Sequence, residues 1–168
     1  MEREIDRVYE EEFDRVWNSL RRHGVPSRHL EDAAQEVFMV LHRRWAELDR
    51  SRPLGPYLSA ISSRVAADLR GRASERREAL GVELERVDPQ LSPEEKAAQA
   101  EQRRLIAAGL ESLSAEQRAV FVMHDLEEHS MPEIAQALDI KLNTAYSRLR
   151  LARESFTKAV RRHRPEGP

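Results

Sequence analysis

Histidine and carboxylate side chains, the groups that bind metal ions and transfer protons, cluster in the segment HDLEEH at residues 124–129. His124 and His129 are five residues apart, which places them about 140° apart around a helix. Histidines four residues apart share one helix face and can share a metal ion, but this pair cannot. We therefore predict no metal site in this segment.

A second group, His29, Asp32 and Glu36, has the spacing of one helix face, but no further ligand is evident. The sequence also contains no glycine-rich phosphate loop, no nucleophile elbow and no persuasive catalytic dyad. It has no cysteine, which excludes disulfides and thiolate metal sites. We expect a protein that is not an enzyme and binds no cofactor and no metal.

Charged residues make up 35% of the 168 residues, hydrophobic residues 40% and aromatic residues 5%. This composition favours small helical units with wide solvated faces over one large core. No apolar run approaches the ~18 residues of a membrane span, and the N-terminus lacks the apolar stretch of a signal peptide. We expect a soluble, cytoplasmic protein without membrane insertion.

The net charge of −2 conceals an uneven distribution of charge along the chain. Residues 1–14 have a net charge of −5, and residues 83–101 have a net charge of −4. Residues 141–164 carry eight lysines and arginines and one glutamate, for a net charge of +7. Such a basic segment can neutralise nucleic-acid phosphates, although a charge run is also consistent with a solvated helix face.

Apolar residues recur at helical spacing through most of the chain, and no segment alternates convincingly as a strand does. The first helix is expected to end at Gly24 and Pro26, and the second to span about residues 30–48. The third is expected to begin at Pro56 and to run to about Arg72. The predicted fold class is therefore all-α.

Between residues 73 and 93 the helical pattern fails, and glycine, proline and acidic residues dominate. Ser92, Ser114 and Ser130 then each precede a Glu or Gln by three residues, which is the pattern of a capping box at a helix start. We predict two small helical domains joined by a flexible acidic linker. The predicted boundaries are 1–75 for the first domain, 76–95 for the linker, 96–163 for the second domain and 164–168 for a tail.

The segment SMPEIAQALDIKLNTAYSRLRLAR, at residues 130–153, has the pattern of a helix-turn-helix. Asp139 occupies the turn, where a left-handed backbone is needed, and Asn143 is predicted to cap a helix that runs to about Val160. The predicted packing face of this helix comprises Ala145, Leu149, Ala152, Phe156 and Val160, and the opposite face comprises Asn143, Ser147 and Arg150. A polar face backed by arginines suits the DNA major groove, although an ordinary helical hairpin with a solvated face has a similar pattern.

This C-terminal part resembles the −35 promoter-binding domain of bacterial sigma factors of the extracytoplasmic-function (ECF) group, in which a pattern like EIAxxLGIxxGTVKSRLxRAR recurs. The chain keeps most of this pattern at residues 133–153. It has Asp139 and Asn143 where glycines are usual, and Ala145 and Tyr146 where valine and lysine are usual. The resemblance implies −35 DNA binding by Lys141, Asn143, Thr144, Tyr146, Ser147, Arg148 and Arg150.

The second predicted helix contains DAAQEVFMVLHRRW, which resembles the family segment that binds the clamp helices of the polymerase β′ subunit. Helical spacing separates a polar face from a core face, which comprises Ala34, Val37, Leu41, Trp45 and Leu48. The resemblance makes the polar face the core polymerase-binding site, which comprises Asp32, Gln35, Glu36 and Met39. Without the resemblance, this face is equally consistent with simple solvation.

The segment RPLGPYLSAISSRVAADLRGR resembles the −10 element-binding segment of the same family. The implied −10 DNA-binding residues are Tyr57, Ser63, Arg64, Arg70 and Arg72. Tyr57 stands where tryptophan is common, and Arg64 stands where asparagine often contacts a base extruded from the melted strand. We expect Arg64 to alter the −10 preference without abolishing binding, because arginine donates hydrogen bonds to bases and phosphates.

The resemblance covers about residues 5–78 and 105–160 and implies a sigma factor that directs promoter recognition, promoter melting and transcription initiation. The implied partners are core RNA polymerase, through its β′ clamp helices and β flap, promoter DNA, and an anti-sigma factor. Two alternatives remain open. One is a polymerase-independent helix-turn-helix regulator that binds an operator, and the other is a helical adaptor that binds only proteins.

Overall fold

The computed structural model describes residues 2–76 and 89–164, so most of the predicted linker and tail lie outside the described residues. The helices are α1 (Glu2–Arg22), α2 (Ser27–Arg44), α3 (Leu54–Glu75), α4 (Pro93–Glu111), α5 (Ala115–Phe121), α6 (Met131–Ala137) and α7 (Leu142–His163). A 3₁₀ turn, Trp45–Glu47, follows α2, and a π-helical turn, Val122–Leu126, follows α5. The described residues contain no strand, and the predicted all-α fold class is confirmed. None of the described helices has the length and apolarity that crossing a membrane requires.

Helices α1, α2 and α3 pack around one core, and the predicted core face of α2 is buried in it. Val37 is fully buried, Leu41 is 1% exposed and Trp45 is 5% exposed. Helix α3 begins at Leu54, so Pro56 lies in its first turn and not at its start. Proline is tolerated there because the first N–H groups of a helix have no partner within the helix.

Helices α4 to α7 form a second core, in which α7 packs against α4 and α5. The three predicted capping boxes are present, with Ser92, Ser114 and Ser130 each accepting a hydrogen bond from the backbone three residues ahead. The helices α5 and α6 are only seven residues long, so the amides without a partner inside the helix are a large share of all its amides. A capping box provides hydrogen bonds for some of them.

The helix-turn-helix consists of α6, the turn at Asp139 and α7. Asp139 has a φ of 54°, the left-handed backbone that the sequence predicts for the turn. The prediction that Asn143 caps the next helix is wrong. The extended backbone of an N-cap occurs at Lys141 (φ −67°, ψ 145°), so α7 begins at Leu142 and Asn143 is already helical.

The two domains pack against each other through α3, which contacts α5, α6 and the π-helical turn. Four residues at this contact, His23, Ser59, Arg118 and Glu127, form what we call the interdomain polar cluster. The Arg118 guanidinium donates to the backbone oxygen of His23 at 3.3 Å and also to that of Leu110. The Ser59 hydroxyl donates to the Glu127 carboxylate. Arg118 and Glu127, both charged residues of the second domain, thus each form a hydrogen bond with the first domain.

Burial controls the charges of the interdomain polar cluster. It lowers the pKa of His23 to about 4, so this imidazole is neutral near pH 7. Burial also lowers the pKa of Arg118 to about 10, which still leaves the guanidinium protonated. Burial alone would raise the pKa of Glu127. The hydrogen bond from His129, the charge that His23 carries below about pH 4, and hydrogen bonds from Ser59 and Ser19 outweigh burial and lower that pKa to about 2.

We predict that the stability of the protein falls on mild acidification because His23 must stay neutral in the folded state. Its pKa is lower in the folded state than in the unfolded chain, so the stabilisation is complete above about pH 6.5 and is lost towards pH 4. The loss between pH 7 and pH 5 is on the order of 2 kcal/mol. Chemical unfolding at both pH values measures it, with His23→Gln as the non-titrating control. Equal pH dependence of the two proteins would contradict the prediction.

Candidate functional site

The polar face of α2 is exposed, as its helical spacing predicts. Asp32, Gln35 and Glu36 are exposed, and Met39 keeps 53% of its surface accessible. Beside this face, His29, Asp32 and Glu36 line a pocket together with Arg72 from α3. Within the described ranges, no group of three histidines or acids is arranged to hold a metal ion. Two acids, an amide and one exposed thioether make this face suitable for binding another macromolecule.

Four of the five histidines and acids of HDLEEH, namely His124, Asp125, Glu127 and His129, make contacts within the protein. The Arg153 guanidinium donates to the Asp125 carboxylate at 2.6 Å, and the His124 ring lies 2.7 Å from the same carboxylate. The hydrogen bond from Arg153 holds the pKa of Asp125 below its usual value. These contacts fasten α7 to the π-helical turn. His129 lies on the other side, 3.5 Å from the Glu127 carboxylate.

The predicted −10 residues occupy three different environments. Tyr57 and Arg64 line one groove of 760 Å³. Ser63 is 7% exposed and its hydroxyl donates to the Ala60 backbone oxygen at 2.8 Å, so the hydroxyl does not face this groove. The half-buried Arg70 donates to the His23 backbone oxygen, and burial lowers its pKa. Arg72 is exposed but lines the pocket beside the polar face of α2.

The groove that contains Tyr57 and Arg64 has a second wall, which sequence reasoning did not find. This wall belongs to the helix-turn-helix and includes Glu133, Gln136 and Asp139. No periodicity in the sequence connects these residues to α3, because the juxtaposition depends on how the two domains pack.

The predicted −35 residues lie at the start of α7. Six of them are helical, and Lys141 is the N-cap. Asn143 and Ser147 are exposed, and Tyr146 is 52% exposed. The opposite face is buried, with Ala145 and Ala152 fully inaccessible and Leu149 4% exposed. The predicted separation of a packing face from a polar face is therefore present.

Two arginines of this face take part in ion pairs within the chain. Arg150 donates to Glu154 at 2.9 Å, and both side chains are largely exposed. Arg148 lies 3.6 Å from Glu116 of α5 and is mostly covered. Exposed pairs such as Arg150–Glu154 contribute little to stability, so the Arg150 guanidinium can exchange its carboxylate for a phosphate or a base edge at small cost.

Sequence reasoning also missed the interdomain polar cluster. Arg118 is 4% exposed and His23 is 1% exposed, although arginine mostly lies at the surface and histidine is only intermediate in burial. The one local signal is that Arg118 shares a short helix with the buried residues Ala119 and Val120, which gives the helix little room for a solvated face.

Two family models match the chain in sequence order. Sigma-70 region 2 matches residues 8–76, and Sigma-70, region 4 matches residues 103–156. The first match contains the polar face of α2 and all of α3. The second contains α5, α6 and the exposed start of α7.

Named relatives agree with these matches. The chain is 30% identical over 165 residues to the ECF RNA polymerase sigma factor SigE of Mycolicibacterium smegmatis, a match that covers 96% of this chain and 63% of the relative. It is 29% identical over 138 residues to the ECF RNA polymerase sigma factor SigX of Bacillus subtilis, covering 79% of this chain and 69% of the relative. The chain thus spans 63% of the length of SigE.

Two solved structures share the fold. One is CnrH in complex with the cytosolic domain of CnrY, with a TM-score of 0.66, 21% identity, and coverage of 94% of this chain and 88% of that one. The other is the sigma factor RpoE in complex with the anti-sigma factor NepR from Bartonella quintana, with a TM-score of 0.61, 20% identity, and coverage of 91% and 96%. The two domains, their order and the relatives together show that the chain belongs to the sigma-70 family of RNA polymerase sigma factors, within its extracytoplasmic-function group.

Proposed function

We propose that this chain is a sigma factor that binds core RNA polymerase and directs promoter recognition, promoter melting and transcription initiation. One observation carries the proposal. A single chain has an exposed polar, acidic face on α2 and an exposed polar, arginine-bearing face on α7, each backed by its own core. An operator-binding regulator needs the face on α7 and has no use for the face on α2. A protein-binding adaptor has no use for the arginines.

The face formed by Asp32, Gln35, Glu36 and Met39 is the proposed core polymerase-binding site. Its acids are exposed and spaced four residues apart, and Met39 offers an adaptable apolar contact between them and the end of the helix. Residues of this kind suit the rim and centre of a protein interface. We assign this face to the β′ clamp helices and assign the second domain to the β flap.

The start of α7 is the proposed −35 site. Asn143, Ser147 and Arg150 project from one exposed face, which can enter a major groove while Lys141 and Arg148 contact phosphates. Tyr146 stands beside them and can contribute an apolar or hydroxyl contact.

The groove at Tyr57 and Arg64 is the proposed −10 site. An aromatic ring and a guanidinium are the groups that stack on and hydrogen-bond to an unpaired base. Capture of a base by these groups offsets part of the cost of unstacking it, which is how the chain would favour the melted promoter. Arg72 is a further candidate for a contact with the DNA backbone. Ser63 and Arg70 instead donate hydrogen bonds to backbone oxygens of the protein, those of Ala60 and His23.

The proposal also covers how the chain is regulated, whether it is an enzyme and where in the cell it acts. Two proteins of the same fold form complexes, CnrH with the cytosolic domain of CnrY and the sigma factor RpoE with the anti-sigma factor NepR. We propose that an anti-sigma factor likewise binds this chain.

Phosphodiester synthesis belongs to the polymerase, so this chain is not an enzyme. Because it acts on polymerase and promoter, it is placed in the cytoplasm.

We predict that the double substitution Asp32→Ala/Glu36→Ala abolishes or strongly reduces run-off transcription from DNA upstream of the protein's own gene. Loss of two exposed carboxylates removes the charge complementarity with the polymerase. The matched control is Glu10→Ala/Asp14→Ala on α1, which removes two exposed acids at the same spacing. If the wild type neither binds core polymerase nor starts a transcript, yet shifts the same DNA alone, the operator-binding regulator is correct.

We predict that Arg150→Ala weakens binding of the polymerase complex to promoter duplex by about 5- to 150-fold, which corresponds to ~1–3 kcal/mol for one good base contact. The control is Arg161→Ala, which removes the same charge from the exposed far end of the same helix. Competition binding at fixed salt measures both variants. Equal losses in the two variants would indicate a general charge effect and would contradict a specific −35 contact.

We predict that Tyr57→Ala reduces transcription from duplex promoter DNA more than from a template with an already open −10 region. The ring is expected to stabilise the extruded base, and a pre-opened template does not require that energy. Parallel run-off assays on the two templates test this. An equal loss on both would show that Tyr57 acts in binding and not in melting.

A further inference from the structure

The first half of α7 exposes several large apolar side chains. Among the described residues, six large hydrophobic side chains are exposed, and three of them lie within the first ten residues of this helix: Leu142, Tyr146 and Leu151. None of the three belongs to either hydrophobic core. The segment that is proposed to bind duplex DNA therefore presents apolar surface to solvent next to its polar and basic groups.

Leu151 is aligned with residues that suit a DNA contact. It is 40% exposed and lies one helical turn after Ser147, about 40° from it around the helix axis. Lys158 follows two turns later, about 20° from Leu151. Ser147 and Lys158 are both exposed. The leucine thus lies between a proposed base contact and a cation that suits a phosphate.

A duplex that contacts Ser147 also covers Leu151. A helix with its side chains is about 10–12 Å across and the major groove is about 12 Å wide, so the exposed half of the helix contacts the groove on a broad front. The one methyl group that the base edges present there is the C5-methyl of thymine. Other base edges present donors and acceptors, which lose water against a leucine without gaining a hydrogen bond. A leucine at this position therefore favours thymine.

An isolated exposed leucine is common on protein surfaces and needs no function by itself. Leu151 differs because it stands within a face that is otherwise polar and basic. In the pattern EIAxxLGIxxGTVKSRLxRAR, arginine occupies the position that Leu151 has in this chain. Arginine donates hydrogen bonds to guanine, whereas leucine can form only an apolar contact. The exchange therefore changes which base is favoured.

We propose that Leu151 is a further specificity-determining residue of the −35 site, and that its side chain contacts the C5-methyl group of a thymine in the major groove. The proposal rests on the function assigned to the start of α7. One helical turn advances about 5.4 Å and one base pair about 3.4 Å, so this thymine lies one or two base pairs from the base that Ser147 contacts.

Replacement of thymine by uracil tests the contact, because uracil lacks only the C5-methyl group and pairs in the same way. The probe is promoter duplex from upstream of the protein's own gene, with the thymines of the −35 region replaced by uracil one at a time. Binding of the complex of the full chain with core polymerase is measured at fixed salt. We expect one replacement to weaken binding about fourfold, as for the loss of one buried methyl group.

Leu151→Ala should bind the thymine duplex more weakly and lose its sensitivity to that replacement. Leu142→Ala is the matched control, because Leu142 is 42% exposed on the same helix but lies about 180° from Leu151 around the axis. This control and Leu151→Met, which keeps an apolar side chain, should both retain the sensitivity. Sensitivity that persists in Leu151→Ala, or that disappears in Leu142→Ala, would overturn the proposal.

The same assay separates this proposal from the proposed function. If the complex binds the promoter specifically but no uracil replacement changes its affinity, Leu151 contacts no methyl group and the sigma-factor function stands. If the complex binds the promoter no better than an unrelated duplex, the proposed function is wrong and the thymine contact with it. If Leu151→Ala weakens binding to core polymerase in the absence of DNA, the leucine belongs to a protein interface and the thymine contact is wrong.

Discussion

The relative position of the two domains depends on one helix that is covered on opposite sides. Helix α3 packs against α1 and α2 on one side and against α5 and α6 on the other. Its buried residues are mostly small, including Ser59, Ala60 and Ala66, which allows neighbouring helices to approach closely. Ala60 even belongs to the core of the second domain.

The interdomain polar cluster makes the double burial specific. Small apolar residues alone allow many relative rotations of two packed surfaces, because dispersion contacts have little directionality. Arg118 and Glu127 each require a defined acceptor or donor on the other domain, and these are available in one position. A buried charge without a partner is strongly destabilising. Other relative positions of the two domains are therefore destabilised by more than the observed position is stabilised.

The elements of the fold were predictable to the extent that local chemistry determines them. The capping boxes at Ser92, Ser114 and Ser130 are local, because each joins atoms three residues apart, and all three are present. The turn at Asp139 was predictable for the same reason. Asn143 misled because asparagine is a good cap in general, whereas the start of α7 is determined by where the chain leaves the turn, at Lys141.

The helix faces that form the sites were predictable, but the residues that other elements bring next to those faces were not. Helical spacing correctly separated exposed from buried residues on α2 and α7, since one face of each must pack on a core. On α3 it could not distinguish Arg64, which is exposed, from Arg70, which donates to the His23 backbone oxygen. That difference is set by the loop after α1, and no residue near Arg70 in sequence reports it. The wall that Glu133 and Asp139 add to the groove at Tyr57 and Arg64 is likewise a product of domain packing.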